Sequence, residues 1–312
     1  MNNPSHSDFL EALSARMADE ARDILEKLHA QESLGLFAGG KWLRSQLAYV
    51  LHAKYGDQFI EQTLAMELLH VSTLVHDDVI DHAELRRGES TISNIHGDGT
   101  GILAGDLLMM RSLEIAQKSM PAWLHREFVK TYEGICIAQN DELMWRGKLR
   151  TQEQYEKVSL GKTGLLYGFA AKLGCGASEG AAAYEKIVQD IAYAFQIVDD
   201  IDDMVTWLGD DTAHASKRAE LDVELGNYTL PVILAFEKKK FAGPASIVRV
   251  SKSEWQKAIL ESHMVAKTVL EKAEHEIGNL PDSRQKTAFM AWAEPMIDQL
   301  EAKSATIDTL RI

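Results

Sequence analysis

Proline is scarce in this chain. Only six occur among 312 residues, at positions 4, 121, 231, 244, 281 and 295, leaving two long stretches with none. Those stretches are rich in Ala, Leu, Glu and Lys and poor in alternating β-branched runs, so helix after helix is expected. Cysteine is scarcer still. Cys136 and Cys175 have no CxxC partner and no metal-ligand spacing, which excludes a disulfide framework and suggests buried, reduced thiols in a cytoplasmic protein. Positive charge is in deficit: 33 Lys and Arg against 47 Asp and Glu give a net charge of −14. That balance argues against a nucleic-acid surface. No apolar run approaches the ~18 residues of a membrane-spanning helix, and the N-terminus lacks the basic start and apolar core of a signal peptide. One large all-α domain over residues 1–312 is the expectation.

Helical periodicity predicts elements at about 5–31, from Leu43, at 59–81, 122–147, 151–174, 179–207, 229–239, 253–278 and 281–307. Asp98 or Thr100 could cap a further helix that carries AGDLLMM. The connection 208–228 is long, polar and charged, as functional loops often are.

The chemistry concentrates in two acidic runs. HDDVID carries Asp77, Asp78 and Asp81, and AFQIVDDIDDM carries Asp199, Asp200, Asp202 and Asp203. Each reads DDxxD on an otherwise apolar helix, with its first and last aspartates one turn apart on one face. A solvated acidic face explains one such cluster, but two with matched spacing and apolar flanks point to a cation. Hard oxygen ligands on rigid helices, incomplete as a cage, suit Mg²⁺ that keeps waters and shares a phosphate-bearing ligand. Gln196 extends the second stripe.

Positive side chains stand beside each run. Lys41 and Arg44 follow a Gly39-Gly40 turn, Arg86 and Arg87 follow Asp81, and Lys162 and Thr163 lie in SLGKTGLL. GKT does not make a P-loop, because Glu156 stands where that motif needs glycine and no strand precedes it. His70 lies about two turns before Asp77. Alone it would read as a core histidine.

Together these segments resemble the trans-type isoprenyl diphosphate synthases. GGKWLRS is similar to the family's GGKRxRP, ELLHVSTLVHDDVIDHAELRRGES to its first aspartate-rich region, and AGDLL, YEKVSLGKTGLL, AFQIVDDIDD and NYTLP follow in the family's order. The resemblance implies an all-α, isoprenoid-synthase-type helical bundle around a deep central apolar cavity, assembled as a homodimer or with a heteromeric partner subunit. It implies that Asp77, Asp81 and Asp199, supported by Asp78, Asp200 and Asp203, hold three Mg²⁺ on an allylic diphosphate. Arg86, Lys162, Thr163, Gln196 and Lys217 would contact that diphosphate; Lys41, Arg44, His70 and Arg87 would bind isopentenyl diphosphate. The chain departs from the family at Trp42 and Ser45, at Ala138 and Glu142 in place of GQxxD, and at Asn227, where GKxTLP has lysine. Asn227 removes one positive charge near the diphosphate. The loop 204–216 is longer than usual.

Product length is read from Ser72 and Thr73, five and four residues before Asp77. Relatives making short products carry large aromatics there as a cavity floor. Two small residues imply a product of C25 or longer, unless Tyr132, Leu143, Met144 or Trp145 plugs the cavity deeper. A geranylgeranyl or farnesyl diphosphate synthase is the alternative. A terpene cyclase would have no use for Lys41, Arg44, His70 and Arg87, and a non-catalytic subunit would not need both the aspartates and the basic set.

Overall fold

The computed structural model describes residues 5–37, 40–52, 57–178, 180–208, 225–237, 239 and 241–307. Twelve α-helices are found among them: α1 His6–Lys27, α2 Leu43–Leu51, α3 Asp57–Ile80, α4 Ile92–His96, α5 Asp98–Ser119, α6 Ala122–Trp145, α7 Gln152–Ser159, α8 Leu165–Cys175, α9 Ala181–Leu208, α10 Leu230–Phe236, α11 Lys252–Gly278 and α12 Arg284–Ile307. The only strands among the described residues, β1 Leu85–Arg86 and β2 Glu89–Ser90, form one antiparallel pair. The all-α expectation therefore holds. The chain falls into two compact units, one of residues 1–132 and 169–181, the other of residues 133–168 and 182–312.

Local chemistry sets the boundaries. Ser5 and Asp8 close a capping box at the start of α1, and Ser251 and Glu254 close another at α11. α1 stops at Lys27 rather than near residue 31, because His29 takes a positive φ and a 3₁₀ segment, Gln31–Phe37, follows. α5 is preceded by Gly97 at φ 84°, so Asp98 is its first helical residue and neither Asp98 nor Thr100 is the cap. The single helix expected over 151–174 is interrupted: Leu160–Gly164 forms one π turn between α7 and α8. α10 ends at Phe236, short of residue 239.

In the first unit α3 and α5 pack along their length. From Thr63 to Leu69 every α3 residue is buried, so this part of the helix is enclosed all round. The α5 face that meets it is built from small residues, including Gly101, Ala104, Gly105, Ser112 and Ala116. A Cβ at Gly101 would lie 2.6 Å from Val79 Cγ2, and one at Gly105 2.3 Å from His76 Nε2. Two buried hydroxyls link the backbones: Ser112 Oγ donates to Ala65 O at 2.8 Å and Ser72 Oγ to Gly105 O at 3.0 Å. Cys136 is exposed, which corrects the reading of two buried thiols; burial does push the Cys175 thiol up to about 12.

α8 also approaches α2 closely, here backbone against backbone. A Cβ on Gly174 would stand 2.6 Å from Ala48 O and 2.7 Å from Leu51 Cβ. Backbone cannot yield as a side-chain tip does, so Gly174→Ala should cost about 1–3 kcal/mol. The expected outcome is a clear drop in the thermal unfolding midpoint, and an unchanged midpoint would show that α2 can move away freely.

Candidate active site

The first unit gathers most of the basic residues singled out in the sequence. Arg87 and Gly88 both have positive φ (53° and 85°), as the two-residue turn of a type I′ hairpin requires, and they join β1 to β2. This hairpin returns Arg86 to α3, where its guanidinium clasps Asp78: Nε lies 2.8 and 2.9 Å from the two carboxylate oxygens and Nη2 2.7 Å from Oδ1. The Asp78 side chain is only 5 % exposed, so its charge is supported by the forked geometry that suits arginine.

Arg44, at the start of α2, lies with Nη1 3.0 Å from Nε2 of His70 on α3. Burial, followed by the nearby charges of Arg44, Arg87 and Arg86, holds the His70 imidazole well below its ordinary value. The ring is therefore neutral. Because arginine can only donate, Nε2 accepts and the ring proton belongs on Nδ1. Beneath them Ser45, the residue standing where the family has proline, donates its hydroxyl to buried Glu67. Burial pushes the Glu67 carboxyl up, opposed by Ser45 and by the charges of Arg44 and Arg87. Lys41 is exposed on the loop before α2. Neither Ser45 nor Glu67 carried a signal that the sequence alone made functional.

Asp77 and Asp81 sit at the end of α3. Asp81 N bonds Asp77 O at 2.8 Å, so helical geometry reaches Asp81 and both carboxylates stem from one face. Of the two length positions, Ser72 is fully buried in the α3–α5 contact. Thr73 is partly buried and donates to His70 O at 2.7 Å. The sequence places both residues along the cavity wall with the floor deeper; the α5 contact commits Ser72 to packing instead.

The second unit holds the other motif on α9. Its inner aspartate is again enclosed: Asp200 is 8 % exposed and accepts from Tyr155 Oη at 2.5 Å and Gln196 Nε2 at 2.9 Å. Burial, reinforced by Asp200, pushes the Tyr155 phenol well above its ordinary value, so it stays a donor. Thr163 Oγ1 donates to Gln196 Oε1 at 3.1 Å, which ties the π turn to α9. A π turn is a frequent mark of a functional site. Here it carries Lys162 and Thr163. Lys162 pairs with Glu142 of α6. Burial pushes Glu142 up, but the charges of Lys162, Arg150 and Arg146 outweigh it and hold the carboxyl below its usual value. Tyr155 was missed in the sequence, where it reads as one more core aromatic. Lys217 lies outside the described residues.

Among the described residues, no three His, Cys, Asp or Glu side chains converge as a ready cage for a metal. Each motif instead places its first and last carboxylates one turn apart on a helix, and its inner aspartate bonds neighbouring side chains. That donor set fits Mg²⁺, which keeps several waters and takes phosphate oxygens among its ligands.

The profile of the polyprenyl synthetase family matches residues 26–263. The chain belongs to that family. This makes it a transferase of prenyl groups in isoprenoid biosynthesis. It is 32 % identical over 310 residues to component 2 of the heptaprenyl diphosphate synthase of Geobacillus stearothermophilus, covering 87 % of this chain and 93 % of that one. It is 29 % identical over 268 residues to a short chain isoprenyl diphosphate synthase of Methanothermobacter thermautotrophicus, covering 81 % of each. The crystal structure of heptaprenyl diphosphate synthase from Staphylococcus aureus superposes with a TM-score of 0.79 at 24 % identity, over 95 % of this chain and 99 % of that one; it shows the shared fold.

In this polyprenyl synthetase the Arg86–Asp78 pair should matter to stability as well as to ligands. Arg86→Ala leaves a buried carboxylate without its forked partner, at a cost of about 3 kcal/mol. A lower urea midpoint is expected, partly restored in Arg86→Lys. An unchanged midpoint would mean that water replaces the arginine.

Proposed function

We propose that this chain is a Mg²⁺-dependent trans-prenyltransferase that condenses isopentenyl diphosphate with an allylic diphosphate such as farnesyl diphosphate. One observation carries the reading. Both DDxxD motifs have an inner aspartate bonded to a side chain expected to meet the allylic diphosphate, Arg86 in one case and Gln196 in the other. Asp77 and Asp81, and Asp199 with Asp203, would hold the Mg²⁺ ions, three in the family's pattern. When bound, the metal neutralises the diphosphate and makes it a competent leaving group.

The protein's own part is positioning. Arg86, Lys162, Thr163 and Gln196, with Lys217, would grip the allylic diphosphate through charge-assisted hydrogen bonds. Lys41, Arg44, His70 and Arg87 would hold isopentenyl diphosphate, the neutral His70 donating through Nδ1 while Nε2 steadies Arg44. Fixing both substrates by their diphosphates brings the isopentenyl double bond to C1 of the allylic cation. Apolar walls exclude the water that would quench that cation. The isopentenyl double bond is itself the nucleophile, and the condensed cation would lose its proton to the departed diphosphate, so neither a side-chain nucleophile nor a side-chain base is called for.

The whole chain, 1–312, would act as one domain in the cytoplasm. Among the described residues no helix is long and apolar enough to cross a membrane. Assembly as a homodimer is supported by the exposed apolar stripe Leu103, Leu107 and Met110 on α5; a second type of subunit is the alternative, as the name of the heptaprenyl relative suggests.

The test is incubation with farnesyl diphosphate, isopentenyl diphosphate and Mg²⁺, followed by mass analysis of the product. Asp77→Ala and Asp199→Ala should each lower turnover by about 10³-fold or more, with helical content unchanged. Near-normal turnover in both at saturating Mg²⁺ would remove the assignment.

We propose a product of C25 or longer, on the ground that Thr73, the length position not taken up by the α5 contact, is small. Thr73→Phe should shift the chain-length distribution to shorter products while the first condensation continues. Ser72→Phe, placed in the α3–α5 contact, should instead lower the unfolding midpoint. Identical product distributions for wild type and Thr73→Phe would locate the length limit on another helix.

A further inference from the structure

Arg150 is a buried cation to which none of the roles above falls. It stands directly before Thr151, the N-cap of α7, and is only 6 % exposed. Its Nε donates to Tyr228 O at 3.2 Å, so the residues just before α10 are held against the start of α7. The neighbouring Asn227 is held as well, its Oδ1 accepting from Arg146 Nε at 3.1 Å. The guanidinium carbon of Arg150 lies 5.2 Å from the centre of the Tyr155 ring, within the range of a cation–π contact.

Tyr155 connects this cation to the second acidic motif. Its buried ring also packs against Tyr193 of α9, with the ring centres 6.1 Å apart. Tyr193, Gln196 and Asp200 follow one another at helical spacing, so they share the α9 face that meets α7. Tyr155 Oη donates to Asp200 at 2.5 Å, and Gln196 donates to the same carboxylate at 2.9 Å. Asp200 directly follows Asp199, so a displaced Tyr155 would be felt where α9 presents its outer aspartates.

Stability does not explain the arginine. A guanidinium stays charged when buried, at a desolvation cost that a methionine or leucine of similar volume would not have. Its Nη1 is buried and has no hydrogen-bond partner among the described residues, which adds to that cost. What the cation does supply is a fixed positive charge at the Tyr155 ring. It draws electron density from the phenol and makes the hydroxyl a stronger donor to the Asp200 carboxylate.

We propose that Arg150 is a positioning residue for the second acidic motif: it fixes Tyr155 on Asp200, and through Asp200 it fixes how α9 presents Asp199 and Asp203 to the divalent cation. The inference rests on the reading of Asp199 and Asp203 as Mg²⁺ ligands.

Three variants separate charge from packing. Arg150→Met keeps the volume without the charge, Arg150→Lys keeps the charge without the fork, and Tyr155→Phe keeps the ring without the hydroxyl. Calorimetric titration of Mg²⁺ into protein saturated with farnesyl thiolodiphosphate, which binds without reacting, reads the metal apart from turnover. Arg150→Met should weaken Mg²⁺ binding about fivefold or more, the scale of one buried cation–π contact. Its unfolding midpoint should equal or exceed that of the wild type. Arg150→Lys should recover part of the lost affinity. Tyr155→Phe should weaken Mg²⁺ by itself, and adding Arg150→Met to it should bring little further loss, because the arginine acts through the hydroxyl. Unchanged Mg²⁺ affinity in Arg150→Met, additive losses in the double variant, or a lowered midpoint in Arg150→Met would overturn the proposal. A wild type that takes up Mg²⁺ with the thiolodiphosphate yet forms no prenyl product, with the variants in the same order, would reject the catalytic reading and keep the positioning role.

Discussion

Placing several carboxylates on apolar helices is the constraint around which this protein is arranged. An ionised aspartate in a low-dielectric environment is costly unless donors surround it. Both motifs meet the cost in the same manner. The inner aspartate turns into the protein and is satisfied there, Asp78 by the fork of Arg86 and Asp200 by Tyr155 and Gln196. The first and last aspartates share one helix face a turn apart. The pairing does a second task, since the donors that stabilise the buried charge are thereby fixed in position.

The remainder of each unit supports these contacts. In the first, α3 must come close to α5, and glycine, alanine and serine along α5 allow it, with Ser112 and Ser72 hydroxyls bonding backbone carbonyls across the contact. A bulky residue at Gly105 would displace the His76 ring beside Asp77. In the second, the π turn lets α7 and α8 continue while Lys162 and Thr163 reach Glu142 and Gln196. Thr163, Gln196, Asp200 and Tyr155 form one chain of hydrogen bonds, and such chains hold their members more firmly than isolated pairs.

Much of this was legible from periodicity. The long helices α3, α6, α9, α11 and α12 match their expected spans closely because apolar spacing over twenty or more residues is a strong signal. The departures fall where local backbone chemistry competes with that signal. His29 and Gly97 adopt positive φ, and one extra residue per turn at 160–164 leaves the apolar pattern almost unchanged. The two-residue strands of the hairpin are too short for alternation to register, although Arg87-Gly88 is a turn pair. Exposure of Cys136 was misread because cysteine is usually buried, whatever helix face it occupies.

The sequence by itself determined the all-α class, the two acidic motifs with their spacing, and the basic residues set beside them. Those are matters of residue type and short range, and a helix converts spacing directly into shared faces. Only the tertiary structure decided which aspartate of each motif is enclosed, that Ser72 packs against α5, that Glu67 lies under Ser45, and that Arg146 meets Asn227. Each joins residues from separate helices or loops. Eighty-one positions separate Arg146 from Asn227, and no local pattern encodes a contact made when two elements fold against one another.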